Sequence, residues 1–521
     1  MSDERRIRSV AIVGGGTAGW LAASMLARAL PAGTRITVIE SPDVAAIGVG
    51  EATIPPFIDL LRFLGIDERE FVRATGATYK LGIRYTDWYL PGHEYWHPFG
   101  TFGTGLGRRP FHHYWCRAAA TGHAPTISDY NLCAALAEAQ KFRFPDTAAR
   151  GVAGGVRHAL HFDAGTVGGY LRAFSARTGV ERLERTVLAA TRRGDGFIDE
   201  LVLDGGTHLA ADLYIDCSGF RGVLIEQVLK TGYIGWGEFL PCDRAVAAPT
   251  AVMGARPPYT QASARGAGWR WRIPLQHRFG NGYVYSSVHL SDEAAAEDLI
   301  AGIGTPLSTP RVLRFTAGRR RSLWSHNCVA LGLASGFLEP LESTSIQLVI
   351  NGVFNLLDHF PDRAFDQSNI DAYNTELIEE LERIRDFLVL HYCASRRDDT
   401  PFWRDVRTVR LPDSLAQRIA LYRGTGRIRP RPGELFTDLS WFYVFEGLGI
   451  RPASLDPLID ADEFARALPV MRSLRQSIER EVRAARTHDS YFADGQPAAA
   501  SALTSHAVIE TSRSQGLPAG P

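Results

Sequence analysis

Between residues 9 and 40 the chain runs strand, glycine turn, helix, strand, and such a start folds into little other than a parallel sheet. SVAIV and RITVIE are short apolar runs of the kind buried on both faces of a sheet. Between them, TAGWLAASMLARAL has small residues in its first turn and helical spacing of apolar residues after it. The turn holds Gly14, Gly16 and Gly19 as G-x-G-x-x-G, and Glu40 ends the second strand 21 residues after Gly19. That spacing is close to the ~20 expected of an acid that holds a ribose hydroxyl. Glycines let the backbone approach a pyrophosphate, and the helix end at Thr17 and Ala18 offers unpaired N–H groups and a positive dipole. A bound dinucleotide follows, although the motif alone does not choose between NAD and FAD.

Later segments bear on that choice. ADLYIDCSGF (211–220) is an apolar run ending in small residues, and NCVALGLASGF (327–337), which contains Leu333, repeats the pattern. Distant returns of this kind suit FAD in an interrupted Rossmann-type domain better than NAD in a compact one. ERTVLAATRRGDGFIDELVLDGG and GYVYSSVHL have the short alternating runs of antiparallel hairpins, predicting a mixed sheet on the substrate side. From about residue 351 the periodicity becomes helical. The expected organisation is an interrupted FAD-binding domain with an inserted sheet over 1–350, a mainly helical covering region over 351–489, and a disordered tail over 490–521, which is small, polar and Pro/Gly-rich.

Composition removes other classes. Lys+Arg and Asp+Glu are 57 each, so no net field gathers nucleic acid or an anionic membrane. No stretch approaches the roughly 18–20 apolar residues of a spanning helix, and MSDERRIRSV is charged where a secretory signal needs an apolar core, so a cytoplasmic location is expected. The six cysteines include no C-x-x-C pair, and no metal is expected. Lysine occurs only at Lys80, Lys141 and Lys230 in an arginine-rich chain, which singles out each of them.

Several motifs then coincide. GGGTAGW (14–20), GVGEATIP (48–55), YKLGIRY (79–85), Trp269-Arg270-Trp271-Arg272-Ile273-Pro274 and FLEPLESTSIQ (337–347) together resemble the flavin-dependent halogenases of the tryptophan halogenase group. The resemblance runs from residue 8 to about residue 450. It implies an α/β fold with a flavin monooxygenase-like, Rossmann-type FAD domain, a mixed substrate-side sheet and a mainly helical carboxy-terminal part. It also implies the chemistry: reduced FAD and O2 oxidise a chloride or bromide ion to hypohalous acid, which an active-site lysine passes to an electron-rich aromatic carbon.

Carried residue by residue, the resemblance assigns Lys80 as that lysine, hydrogen-bonding the oxidant or becoming a haloamine. A desolvated ammonium has a lowered pKa and can both donate and act as a nucleophile. Glu342 is the accompanying carboxylate, expected to pair with Lys80 and to serve the cationic ring; on local grounds it is equally a helix-start carboxylate. Thr344 and Ser345 correspond to the halide site, and Ser345 stands where the family has glycine, which bears on chloride against bromide. Gly48, Gly50, Glu51 and Ala52 fall in a mobile strap over the flavin. Trp269, Trp271, Ile273 and Pro274 form the W-x-W-x-I-P marker, implied to keep substrate from the flavin; core packing of a strand is the alternative. His97 and Phe99 match a pair that sandwiches the substrate, and Phe442 and Tyr443 stand near the family's tyrosine pair, with a packed helix face as the alternative.

The sequence therefore predicts an FADH2-dependent halogenase acting on indole, tryptophan or another small aromatic. Its partner is a separate NAD(P)H-dependent flavin reductase, since no second dinucleotide fingerprint occurs. A two-fold dimer is the base-rate expectation. The alternatives are a two-component FAD-dependent aromatic monooxygenase, which needs neither halide nor Lys80, and a flavin-binding protein without turnover.

Overall fold

The computed structural model describes residues 3–42, 50–101, 106, 109–146, 148, 151–429, 431 and 433–492. The first strand, β1 (Ser9–Val13), is apolar and almost wholly buried because it has a parallel neighbour on each side. One neighbour is β2 (Arg35–Glu40), reached through helix α1 (Thr17–Ala29). The other is Leu213–Asp216, which pairs in turn with Cys328–Ala330. Both distant returns expected from the sequence thus enter one six-stranded sheet, beside the strand that opens the chain. Val187–Arg192 and Ile198–Leu203 form the expected hairpin.

A second, seven-stranded sheet supplies the substrate side. It includes β5 (Gly82–Thr86), β6 (Glu94–Pro98) and β8 (Gly268–Pro274), and apart from one parallel junction between β5 and Thr260–Arg265 it is antiparallel. In a third, small sheet β7 (Ala159–Phe162) sits between β3 (Glu51–Ala52) and β4 (Thr78–Lys80). Register places Ala52 opposite His161 and Lys80 opposite Ala159, so two of the sequence motifs share one partner strand.

Helices α2 (Ser345–Asp358), α3 (Gln367–Cys393) and α4 (Asp438–Gly447) cover this framework, and no described helix is long and apolar enough to cross a membrane. Side chains alternate along β4, so Tyr79 points away from the face that carries Lys80. Tyr79 stacks on Phe142 at 4.4 Å and lies nearly parallel to Phe492 at 5.8 Å. Arg486–Thr487 pairs with Lys141–Phe142, bringing that late segment against β4. Most of the tail expected over 490–521, from residue 493 onward, lies outside the described residues.

Candidate functional site

The glycine turn is shaped by contacts that a side chain would break. Gly14 has φ +117°, and a Cβ there would lie 2.3 Å from the Cys217 carbonyl oxygen. A Cβ at Gly19 would come within 1.8 Å of the Gly14 carbonyl oxygen, whereas one at Gly16 would meet nothing within 4 Å. The turn is therefore tight against the protein and open on its outer side. There α1 begins with no side-chain cap, leaving its first N–H groups for a ligand. A cavity of about 410 Å³ opens at this point, with Gly14, Gly16, Thr17, Ala18 and Glu40 at one end. Gly50, Glu51, Ala52 and Leu333 line it further along, and Trp271 and Ile273 form part of the wall. Gly48 lies outside the described residues.

The cradle fits a long dinucleotide. Glu40 is already engaged by Arg182 at 2.5 Å and Arg172 at 3.6 Å, both on Oε2. Glu51 is carried up to a pKa of about 7, by burial first and by the charge of Asp163 second. Gly19→Ala is expected to weaken FAD binding roughly tenfold or more, because the added methyl must displace backbone; a fluorescence titration with wild-type affinity would show that the turn relaxes instead.

Beyond the cavity lies Lys80, fully buried. Its Nζ donates to the Thr53 carbonyl at 3.0 Å and to Ser343 Oγ at 2.8 Å, and sits 5.2 Å from the centre of the Phe99 ring. Burial lowers its pKa to about 7, with the Glu342 charge pulling the other way. Ser343 also lines the cavity, so one residue both borders that space and holds the lysine. Strand β4 is fixed by Thr78, which donates to the Pro274 carbonyl at 2.6 Å. The Thr78 hydroxyl also contacts His161, whose protonation burial and Lys80 suppress.

Glu342 does not make the ion pair with Lys80 that the resemblance implied. Its oxygens are taken by Tyr85 OH at 2.5 Å, His97 Nδ1 at 2.8 Å and His391 Nε2 at 3.0 Å, while Lys80 is held by Thr53 and Ser343. Burial alone would raise the Glu342 pKa; the charges and hydrogen bonds of His97 and His391 override it and hold the carboxylate well below the usual range. His391 Nδ1 lies 2.9 Å from the Phe387 carbonyl.

Ser343 is left-handed, with φ +61°, and turns the chain into α2. Thr344 is the residue before that helix, and its hydroxyl is buried with no hydrogen-bond partner among the described residues. A buried, unpaired donor at a helix amino end is a natural seat for a small anion. Ser345 follows as the first helical residue and lines the cavity.

The two motif tryptophans separate. Trp271 reaches the cavity wall; Trp269, on the same face of β8 one step along, instead donates Nε1 to Glu339 at 2.7 Å. On the aromatic side, the His97 ring lies 5.7 Å from Phe387, which stacks on Phe436 at 3.8 Å. In α4 it is Trp441 that meets Phe387, edge-on at 4.9 Å. Phe442 packs on His112 and Trp115, and Tyr443 reaches Asn131, which donates to the Phe99 carbonyl. Sequence reasoning missed Tyr85, Ser343 and Thr53, which lie inside the quoted motifs. It also missed His391 and Phe387, which carry no local signal.

Residues 9–463 match the family model described as tryptophan halogenase. The chain is 36% identical over 499 residues to the tryptophan 6-halogenase ThaL of Streptomyces albogriseolus, covering 88% of this chain and 92% of that protein. Among solved structures it resembles BrvH, a flavin-dependent halogenase from Brevundimonas sp. BAL3, with a TM-score of 0.89 and 42% identity over 94% of this chain and 99% of that one. It resembles Xcc4156, a flavin-dependent halogenase from Xanthomonas campestris, with a TM-score of 0.90 and 42% identity over 94% of this chain and 98% of that one.

Proposed function

The chain belongs to the tryptophan halogenase family, and from that premise we propose that it halogenates an electron-rich aromatic, an indole ring above all, using Lys80 to carry the halogen and Glu342 to remove the ring proton. The observation that carries the reading is Lys80, buried and held by Ser343, which also lines the cavity at the glycine turn. FAD, reduced by a separate NAD(P)H-dependent reductase and meeting O2, would supply the oxidising equivalent that turns halide into hypohalous acid. The glycine turn, the α1 amino end and Glu40 would hold it, with Glu51, Ala52 and Leu333 along its length.

The residues of this chain do the rest. Thr344 and the α2 amino end hold the halide beside the cavity. Lys80, with a pKa of about 7, presents both its forms near neutrality. As ammonium it donates to the oxygen of hypohalous acid; as amine it takes the halogen and releases water. His97 and Phe99 flank the substrate ring, and Glu342, kept ionised by its histidines, accepts the proton from the halogenated carbon. The name of ThaL, a tryptophan 6-halogenase, supports an indole-bearing substrate.

The test is mass spectrometry after incubation with FAD, NADH, a flavin reductase and bromide or chloride, over indoles, phenols and free tryptophan. A halogen isotope pattern that requires halide is expected; a halide-independent gain of one oxygen would return the chain to the aromatic hydroxylases. Thr344→Val, which keeps shape and removes the hydroxyl, is expected to raise the half-saturating halide concentration by about tenfold, as loss of a hydrogen bond to a charged group implies. An unchanged halide dependence would place the ion elsewhere.

A further inference from the structure

Building on that halogenase reading, we propose that Glu339 is a positioning residue: its buried carboxyl ties the 338–344 turn to β8 and α3, and so fixes Ser343 against Lys80 and Glu342 among its donors. Glu339 is 1% exposed. Its Oε2 accepts from Trp269 Nε1 at 2.7 Å and from Tyr392 OH at 2.6 Å, and its Oε1 is buried with no partner among the described residues. A leucine could fill such a space without the cost of desolvating an acid. What the acid provides is a fixed point, because two rigid elements hold one oxygen from two directions.

The turn needs that point. Within it, Ser343 adopts a left-handed conformation that non-glycine residues keep only when their surroundings impose it. Tyr85 holds the middle, donating to the Leu341 carbonyl at 3.2 Å and to Glu342. Glu339 holds the start. Adjacent residues of α3 serve the two acids: His391 meets Glu342 and Tyr392 meets Glu339. Trp269 thereby acquires a task distinct from that of Trp271: it joins the tryptophan motif to the chemistry through a carboxylate instead of through the flavin.

If the anchor is lost, Ser343 no longer keeps its distance to Lys80, and hypohalous acid escapes before the lysine captures it. The experiment compares halogenated aromatic with hypohalous acid trapped by a dissolved scavenger, at equal flavin oxidation, for wild type, Glu339→Leu, Glu339→Gln, Trp269→Phe and Tyr392→Phe. Wild type must first give halogenated product; if it does not, the halogenase reading fails and not this inference. Given that product, Glu339→Leu is expected to lower the product-to-leak ratio about tenfold, and Trp269→Phe or Tyr392→Phe each about threefold. Glu339→Gln, which retains an accepting oxygen, should stay within about twofold of wild type. FAD affinity should be unchanged in the phenylalanine variants. Should Glu339→Leu fail to fold, those two variants decide. A wild-type ratio in both of them, or a glutamine variant as leaky as the leucine one, overturns the proposal.

Discussion

Lys80→Met is expected to remove halogenated product by about 10³-fold or more, roughly 4 kcal/mol of barrier, while FAD still binds and reduced flavin is still consumed. The same substitution is expected to stabilise the fold. Lys80 is held at a pKa of about 7 against 10.5 for an ordinary lysine. Below pH 7 both folded and unfolded chains carry the proton, and the full penalty of a buried ammonium is present. Between pH 7 and 10.5 the folded state has released a proton that the unfolded state still holds. Stability from this group therefore rises with pH across that window, by up to about 1.4 kcal/mol per pH unit. The methionine variant lacks the slope. Urea unfolding of both proteins through the window, beside product analysis, checks both halves. Product within tenfold of wild type would remove Lys80 from the chemistry, and parallel stability curves would show that its ammonium is better solvated than its burial indicates.

Glu342→Gln is expected to slow halogenation about 10²-fold, the lower end of what a placed base contributes. The reason lies in its partners. Tyr85, His97 and His391 converge on two oxygens that only accept, and an amide puts donors against at least one of them. The variant also has no base for the proton of the halogenated ring carbon. Loss of that proton should become rate-limiting, so a deuterium isotope effect at the carbon should appear in the variant and be absent from wild type. A rate within threefold and no isotope effect would leave Glu342 with only its structural role, holding Tyr85, His97 and His391 together.

What could be foreseen from sequence was what depends on near neighbours along the chain. The glycine turn is such a case: clashes at Gly14 and Gly19 are with backbone of the same turn or of a strand whose own pattern was visible. The paired returns at 211–220 and 327–337 were visible because buried parallel strands are uniformly apolar. The site was visible as a set of residues but not as a set of bonds. Lys80 and Glu342 are both there, yet each is satisfied by others. Lys80 is held partly by the Thr53 carbonyl, a backbone atom that every residue possesses. Glu342 is held by His391, midway through no motif and placed only by the packing of α3. The two tryptophans of one motif differ in role for a similar reason, since alternation along a strand predicts a shared face but not where on that face the cavity ends.

The stacking of Tyr79 on Phe142 and Phe492 has a bearing on the order in which the chain completes its packing. Phe142 follows the lysine strand by about sixty positions, whereas Phe492 follows it by about four hundred, a contact of very high sequence separation. A nascent chain can have its dinucleotide cradle, its tryptophan motif and its acidic turn, and Phe142 already against Tyr79, while the Phe492 side of that stack is still open. The packing behind Lys80 is thus completed only once the segment that carries Phe492 has been made.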